Sequence, residues 1–213
     1  EDRLERAWSP VGHMNSVVNS DELREAYNAC LPKLSEYSTV LGQNEKLFQA
    51  IKFITESDEY KTLDKAQKKT IENELRDFRL SGIELDEKDR LRYKHIMQEL
   101  SSLTATFEQN IMDATNVWKK VITDESRLDG LTDTALSLAK QTAEREKEQG
   151  WMFTLDFPSY YAVINYADDR ELRQEMYTAY TTRASDQGPH AGKWDNTQIM
   201  EDILKLRHEA ANL

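Results

Sequence analysis

The 213-residue chain is short of cysteine, proline and glycine, and its 28 Lys and Arg are outnumbered by 39 Asp and Glu; each imbalance excludes something. Cys30 is alone, so no internal disulfide can form and a reducing, cytoplasmic setting is the simplest expectation. Seven glycines and four prolines supply few turns, which implies long elements. No apolar run approaches the roughly 18 residues of a membrane span, and the polar amino end does not resemble a signal peptide. The formal net charge of -11 repels phosphate, which argues against a nucleic-acid partner and against anionic membranes.

What remains is a chain with 31% charged and 38% hydrophobic residues, a balance that suits helices with one exposed face. The expected fold is mainly α, a multi-helix bundle with long antiparallel helices and room for one small two-stranded β element. Its organising stretch is Asp86 to Thr115. Tyr93, Ile96, Leu100, Leu103, Phe107, Ile111 and Ala114 recur mostly at steps of three and four, the stripe of one long helix. Asp86 is placed to cap it, and Glu87 and Asp89 add negative charge at the positive end of the helix dipole.

Around that stretch, Pro10 predicts a break in the first segment or the start of a new turn. Ser20 opens a helix that Pro32 kinks or deprives of a backbone bond and that Gly42 ends. Leu47, Phe48, Ile51 and Ile54 form the inner face of a shorter helix, and Asp58 to Arg79 reads as one further helix. Asn116 to Ile122 and Trp151 to Phe157 read as two short strands able to pair. Thr132 to Gln149 lies between them as a helix capped by Gly150. Pro158 starts a helical or irregular turn through Tyr166, and Asp168 with Glu171 has the spacing of a capping box. Ser185 to Lys193 is a loop. The last helix starts near Asp195 or Asn196, and its stripe of Ile199, Ile203, Leu206, Ala210 and Leu213 runs to the final residue, which suggests truncation.

Chemistry-bearing motifs are scarce. His208-Glu209-Ala210-Ala211-Asn212 has the frame of a zinc-peptidase helix, in which histidines at i and i+4 share a metal and the glutamate works on bound water. Asn212 stands where the second histidine is needed, and one imidazole does not make a site. His13, His95 and His190 have no second ligand at suitable spacing; His95 and Glu99 are a helical i,i+4 pair. Cys30 has no histidine near it in sequence, no glycine-rich phosphate loop occurs, and no serine sits in a nucleophile elbow. The residues alone therefore give no catalytic residue and no metal ligand. The tyrosines Tyr160, Tyr161, Tyr166, Tyr177 and Tyr180 remain. These rings read first as half-buried packing; the competing role is a groove wall whose phenol hydroxyls hydrogen-bond a peptide backbone.

Wording adds what periodicity does not. Arg76-Asp77-Phe78-Arg79-Leu80-Ser81-Gly82, Phe107-Glu108-Gln109-Asn110 and Leu155-Asp156-Phe157-Pro158-Ser159-Tyr160-Tyr161 carry a resemblance to the thimet oligopeptidase family of zinc metallopeptidases. Tyr180-Thr181-Thr182-Arg183-Ala184-Ser185-Asp186, Trp194-Asp195-Asn196-Thr197 and the closing segment from Leu206 extend it, as does the opening Ala7-Trp8-Ser9-Pro10-Val11. The resemblance implies a cytoplasmic endopeptidase acting on short peptides in a deep channel between two mostly helical lobes. Residues 1–213 would be the N-terminal lobe and one channel wall. The His-Glu-x-x-His helix, its zinc and the catalytic C-terminal lobe would lie outside this chain, which alone would bind no cofactor and be inactive. Another reading from a different class is a stand-alone helical module that binds a protein or peptide without catalysis.

Overall fold

Helix starts are set by the side chains that precede them. Ser20, Asn44, Ser57, Asp64, Thr132 and Asp169 each accept a hydrogen bond from a backbone N–H of the first turn, satisfying donors that the helix itself leaves open. The computed structural model describes residues 2–213. Among them are α1 (Asp2–Val17), α2 (Asp21–Gly42), α3 (Glu45–Glu56), α4 (Asp58–Thr62), α5 (Lys65–Leu80) and α6 (Glu87–Val117). These are followed by β1 (Lys119–Ile122), a single 3-10 turn at Glu125–Leu128, α7 (Asp133–Arg145), β2 (Trp151–Thr154), α8 (Phe157–Tyr166), α9 (Arg170–Thr181) and α10 (Thr197–Ala210). The mainly α class with one small two-stranded sheet is thus what the chain adopts.

The backbone divides into two compact units. The first runs from the amino end to Ala105 and includes Asp202–Leu213. Its buried cluster is Phe48 of α3, Phe78 of α5 and Ile83, with Ile51 and Leu75 packed against it. The two phenyl rings meet tilted at 5.7 Å. Elsewhere in this unit Trp8 of α1 stacks on Tyr27 of α2 at 4.9 Å. Arg90 donates to the carbonyls of Ile83 and Leu85, tying the turn before α6 to its first helical turn.

The second unit, Thr106–Glu201, is built around one contiguous core. β1 and β2 pair antiparallel, with Lys119 opposite Thr154 and Ile122 opposite Trp151. Phe153 and Leu155 are buried beside the alanine stripe of α7, Ala135 and Ala139, and beside Val163, Leu172 and Met176 of α8 and α9. Small alanines let a helix lie close to a strand, and they lose no rotamer freedom on burial. Gly130 has φ +84, and a Cβ there would sit 2.2 Å from the carbonyl oxygen of Tyr166, so only glycine fits this crossing.

Several sequence expectations change. The expected strands Asn116 to Ile122 and Trp151 to Phe157 shrink to Lys119–Ile122 and Trp151–Thr154, because α6 runs on through Val117 and Phe157 opens α8. Pro10 does not break the first segment, since α1 continues through it. Because α1 is exposed along much of its length, water can satisfy the carbonyl that proline leaves without a helical donor. Asp58 to Arg79 is two helices, because Asp64 and Gln67 form a reciprocal capping box that starts α5 afresh. Asp169, not Asp168, caps α9. Gly150 does not cap α7, which ends at Arg145. Its φ of +98 carries the chain past the carbonyl of Ile122 into β2. Finally, Leu47 and Ile54 lie at the surface, and of the expected inner face of α3 only Phe48 is fully buried.

Candidate functional site

The tyrosines singled out by sequence lie on α8 and α9 in the second unit. Leu172, Met176 and Ala179 turn the apolar face of α9 into the core, which leaves Tyr177 exposed and Tyr180 half-buried. Pro158 near the start of α8 and Ser159, whose hydroxyl accepts from the backbone N–H of Thr154, fix where Tyr160 emerges. The outcome is a stacked ladder. The Tyr160 and Tyr180 rings are 3.8 Å apart and nearly parallel, and the Arg183 guanidinium lies 3.6 Å above Tyr180. Arg183 is held there by bonds from Nε to the Tyr180 carbonyl and from Nη1 to Thr115 Oγ1.

Burial pushes the Tyr160 phenol above its ordinary value, the neighbouring Tyr180 and Tyr177 add to that, and Arg183 opposes it. Tyr160 therefore stays a neutral donor and acceptor at physiological pH. Among the described residues the hydroxyls of Tyr160, Tyr177 and Tyr180 have no hydrogen-bond partner in the protein, yet none is buried without one, so all three are open to water. Tyr161 and Tyr166 form a second group, edge to face at 6.5 Å, with Phe157 tilted against Tyr161 at 5.6 Å. Sequence reasoning named these tyrosines but not Arg183 as their partner, although Tyr180 and Arg183 at i,i+3 carried the signal.

His208 is the one histidine on α10. Asn212 Nδ2 donates to the His208 carbonyl at 2.6 Å, and its amide lies 3.4 Å from the imidazole. Glu209, where a zinc peptidase would have its base, forms a two-pronged ion pair with Arg92 at 2.5 and 2.6 Å. The hydrogen bond from Arg92 holds the Glu209 carboxyl below its ordinary value, the wrong direction for a group that must take up a proton. Among the described residues no three His, Cys, Asp or Glu side chains converge as metal ligands. The donor set of α10, one imidazole and an amide, does not fit zinc. No helix among the described residues is long and apolar enough to cross a membrane.

A family profile described as Neurolysin/Thimet oligopeptidase, N-terminal domain, matches residues 1–90. Oligopeptidase A of Haemophilus influenzae is 55% identical over 212 residues, covering 100% of this chain and 31% of that protein. The match is to the N-terminal region of oligopeptidase A. Oligopeptidase A of Escherichia coli K12 is 53% identical over 213 residues, again 100% of this chain and 31% of the relative. A protein of Arabidopsis thaliana named probable cytosolic oligopeptidase A is 37% identical over 219 residues, 100% of this chain and 30% of its own length. The chain thus spans about three tenths of the length of these oligopeptidase A relatives.

Proposed function

We propose that this chain is the N-terminal lobe of a cytoplasmic zinc endopeptidase that hydrolyses short peptides in a channel between two helical lobes, and that it forms one wall of that channel. The observation that carries the reading is the identity of 53 to 55% to oligopeptidase A along the entire chain. The tyrosine ladder supports it, because phenol hydroxyls open to water on packed helices can hydrogen-bond an extended backbone without selecting side chains. In this reading the zinc and its ligands come from residues outside the chain. The lone cysteine fits a reducing compartment.

The test has two arms. The purified chain with one equivalent of zinc leaves a quenched fluorogenic peptide intact, and the reading frame followed past Leu213 encodes a His-Glu-x-x-His segment. Stoichiometric zinc binding together with peptide cleavage by the 213 residues contradicts the reading.

A further inference from the structure

One face of α9 carries Arg170, Arg173, Tyr177 and Tyr180 at steps of three, four and three. At 3.6 residues per turn these four fall within an arc of about 80°, whose centre lies roughly 110° around the helix from the buried stripe of Leu172, Met176 and Ala179. Arg170, Arg173, Gln174 and Tyr177 line an open groove of about 540 Å³ with Ile164 of α8, and among the described residues no carboxylate lines it. Glu171 and Glu175 turn to the other flank of α9, where they line a separate groove with Trp118 and Pro189. In a chain of net charge -11, two guanidinium groups in a groove without an acid are the exception.

Their hydrogen-bonding capacity is also left over. Arg127 is occupied by Asp169 at 2.6 Å, and Arg183 by Thr115 and the Tyr180 carbonyl. Arg170, by contrast, has no hydrogen bond or ion pair within the protein among the described residues. Arg173 commits Nη1 to the carbonyls of Ala167 and Asp168 and keeps Nε and Nη2 for an outside acceptor. Planar guanidinium groups suit a carboxylate, which accepts two parallel hydrogen bonds.

We propose that this groove recognises the C-terminal carboxylate of a short peptide, whose backbone then runs along α9 past Tyr177 toward Tyr180 and Tyr160. The inference rests on the peptide-wall reading and adds a direction and a length to it. Arg170 to Tyr180 spans about 15 Å of helix, which matches about five residues of extended peptide.

The experiment is fluorescence anisotropy with a six-residue peptide labelled at its amino end, prepared as the free acid and as the C-terminal amide. The free acid is expected to bind the chain about fivefold more tightly than the amide, with the difference shrinking in 0.5 M salt as screening predicts. Arg170→Gln, an exposed change whose melting curve should match the parent, is expected to abolish that preference by lowering free-acid affinity to that of the amide. Equal affinity for the two forms, or a preference that survives Arg170→Gln, overturns the carboxylate site and leaves the wall reading standing. Binding of neither form overturns both.

Discussion

The first unit carries about twice the helical length of the second, yet the second holds the larger contiguous core. The second unit gathers thirteen buried hydrophobics into one cluster, whereas the cluster of the first unit has only Phe48, Phe78 and Ile83 at its centre. In the second unit a strand pair and short helices surround Phe153 and Leu155 from several sides. The first unit leaves Phe53 at 69% and Leu80 at 68% exposure. Its individual helices are well capped but weakly centred. The tyrosine ladder rises from the better-packed unit, which gives the candidate surface the rigid support that precise binding needs.

That contrast can be broken by measurement. Leu172→Ala removes a side chain with no exposure from the larger core and is expected to cost about 4 kcal/mol in a urea melt. Gly130→Ala comes next, at about 3 kcal/mol, because alanine at φ +84 is strained and its Cβ would press on the Tyr166 carbonyl. Asp169→Ala should cost about 2 kcal/mol by calorimetry, since it removes the α9 cap and leaves Arg127 without its partner.

The Asp169 carboxyl also sets a pH dependence. Burial raises it, but hydrogen bonds from the Leu172 N–H and Arg127 outweigh burial and hold it below the ordinary value. A carboxyl depressed in the folded state binds fewer protons there than in the unfolded chain. Its stabilisation is therefore fully present above the unfolded value of about 4 and is lost as pH falls through the folded value. The parent should lose stability over that acid range more steeply than Asp169→Ala. At the small end, Phe53→Ala should change stability by less than about 0.5 kcal/mol. A cost for Phe53→Ala equal to that for Leu172→Ala would erase the difference between the units.

Much of the fold was legible where a signal is local. Ser20 and Asp86 cap the helices they precede, and the alternation from Trp151 marks a real strand. The reading slipped where two adjacent residues could do the same job, as with Asp168 and Asp169. It slipped again where a later cap overrode continuous periodicity, as Asp64 does between Leu63 and Ile71. The Asp64–Gln67 spacing was present in sequence and was the missed signal. The Arg92–Glu209 pair joins residues 117 apart, a relation that no local pattern encodes. The candidate surface was half legible. Its tyrosines stood out by type, but only packing shows that three hydroxyls stay open to water and that Arg170 is unengaged.

The central claim is that the α8–α9 surface is where this chain meets a peptide. Amide chemical-shift mapping during titration with a six-residue free-acid peptide tests it most directly. The account predicts that the largest perturbations fall at Tyr160, Arg170, Tyr177 and Tyr180, while the first-unit cluster around Phe48 and Phe78 stays unmoved. Perturbations confined to the first unit, or none at millimolar peptide, would contradict it.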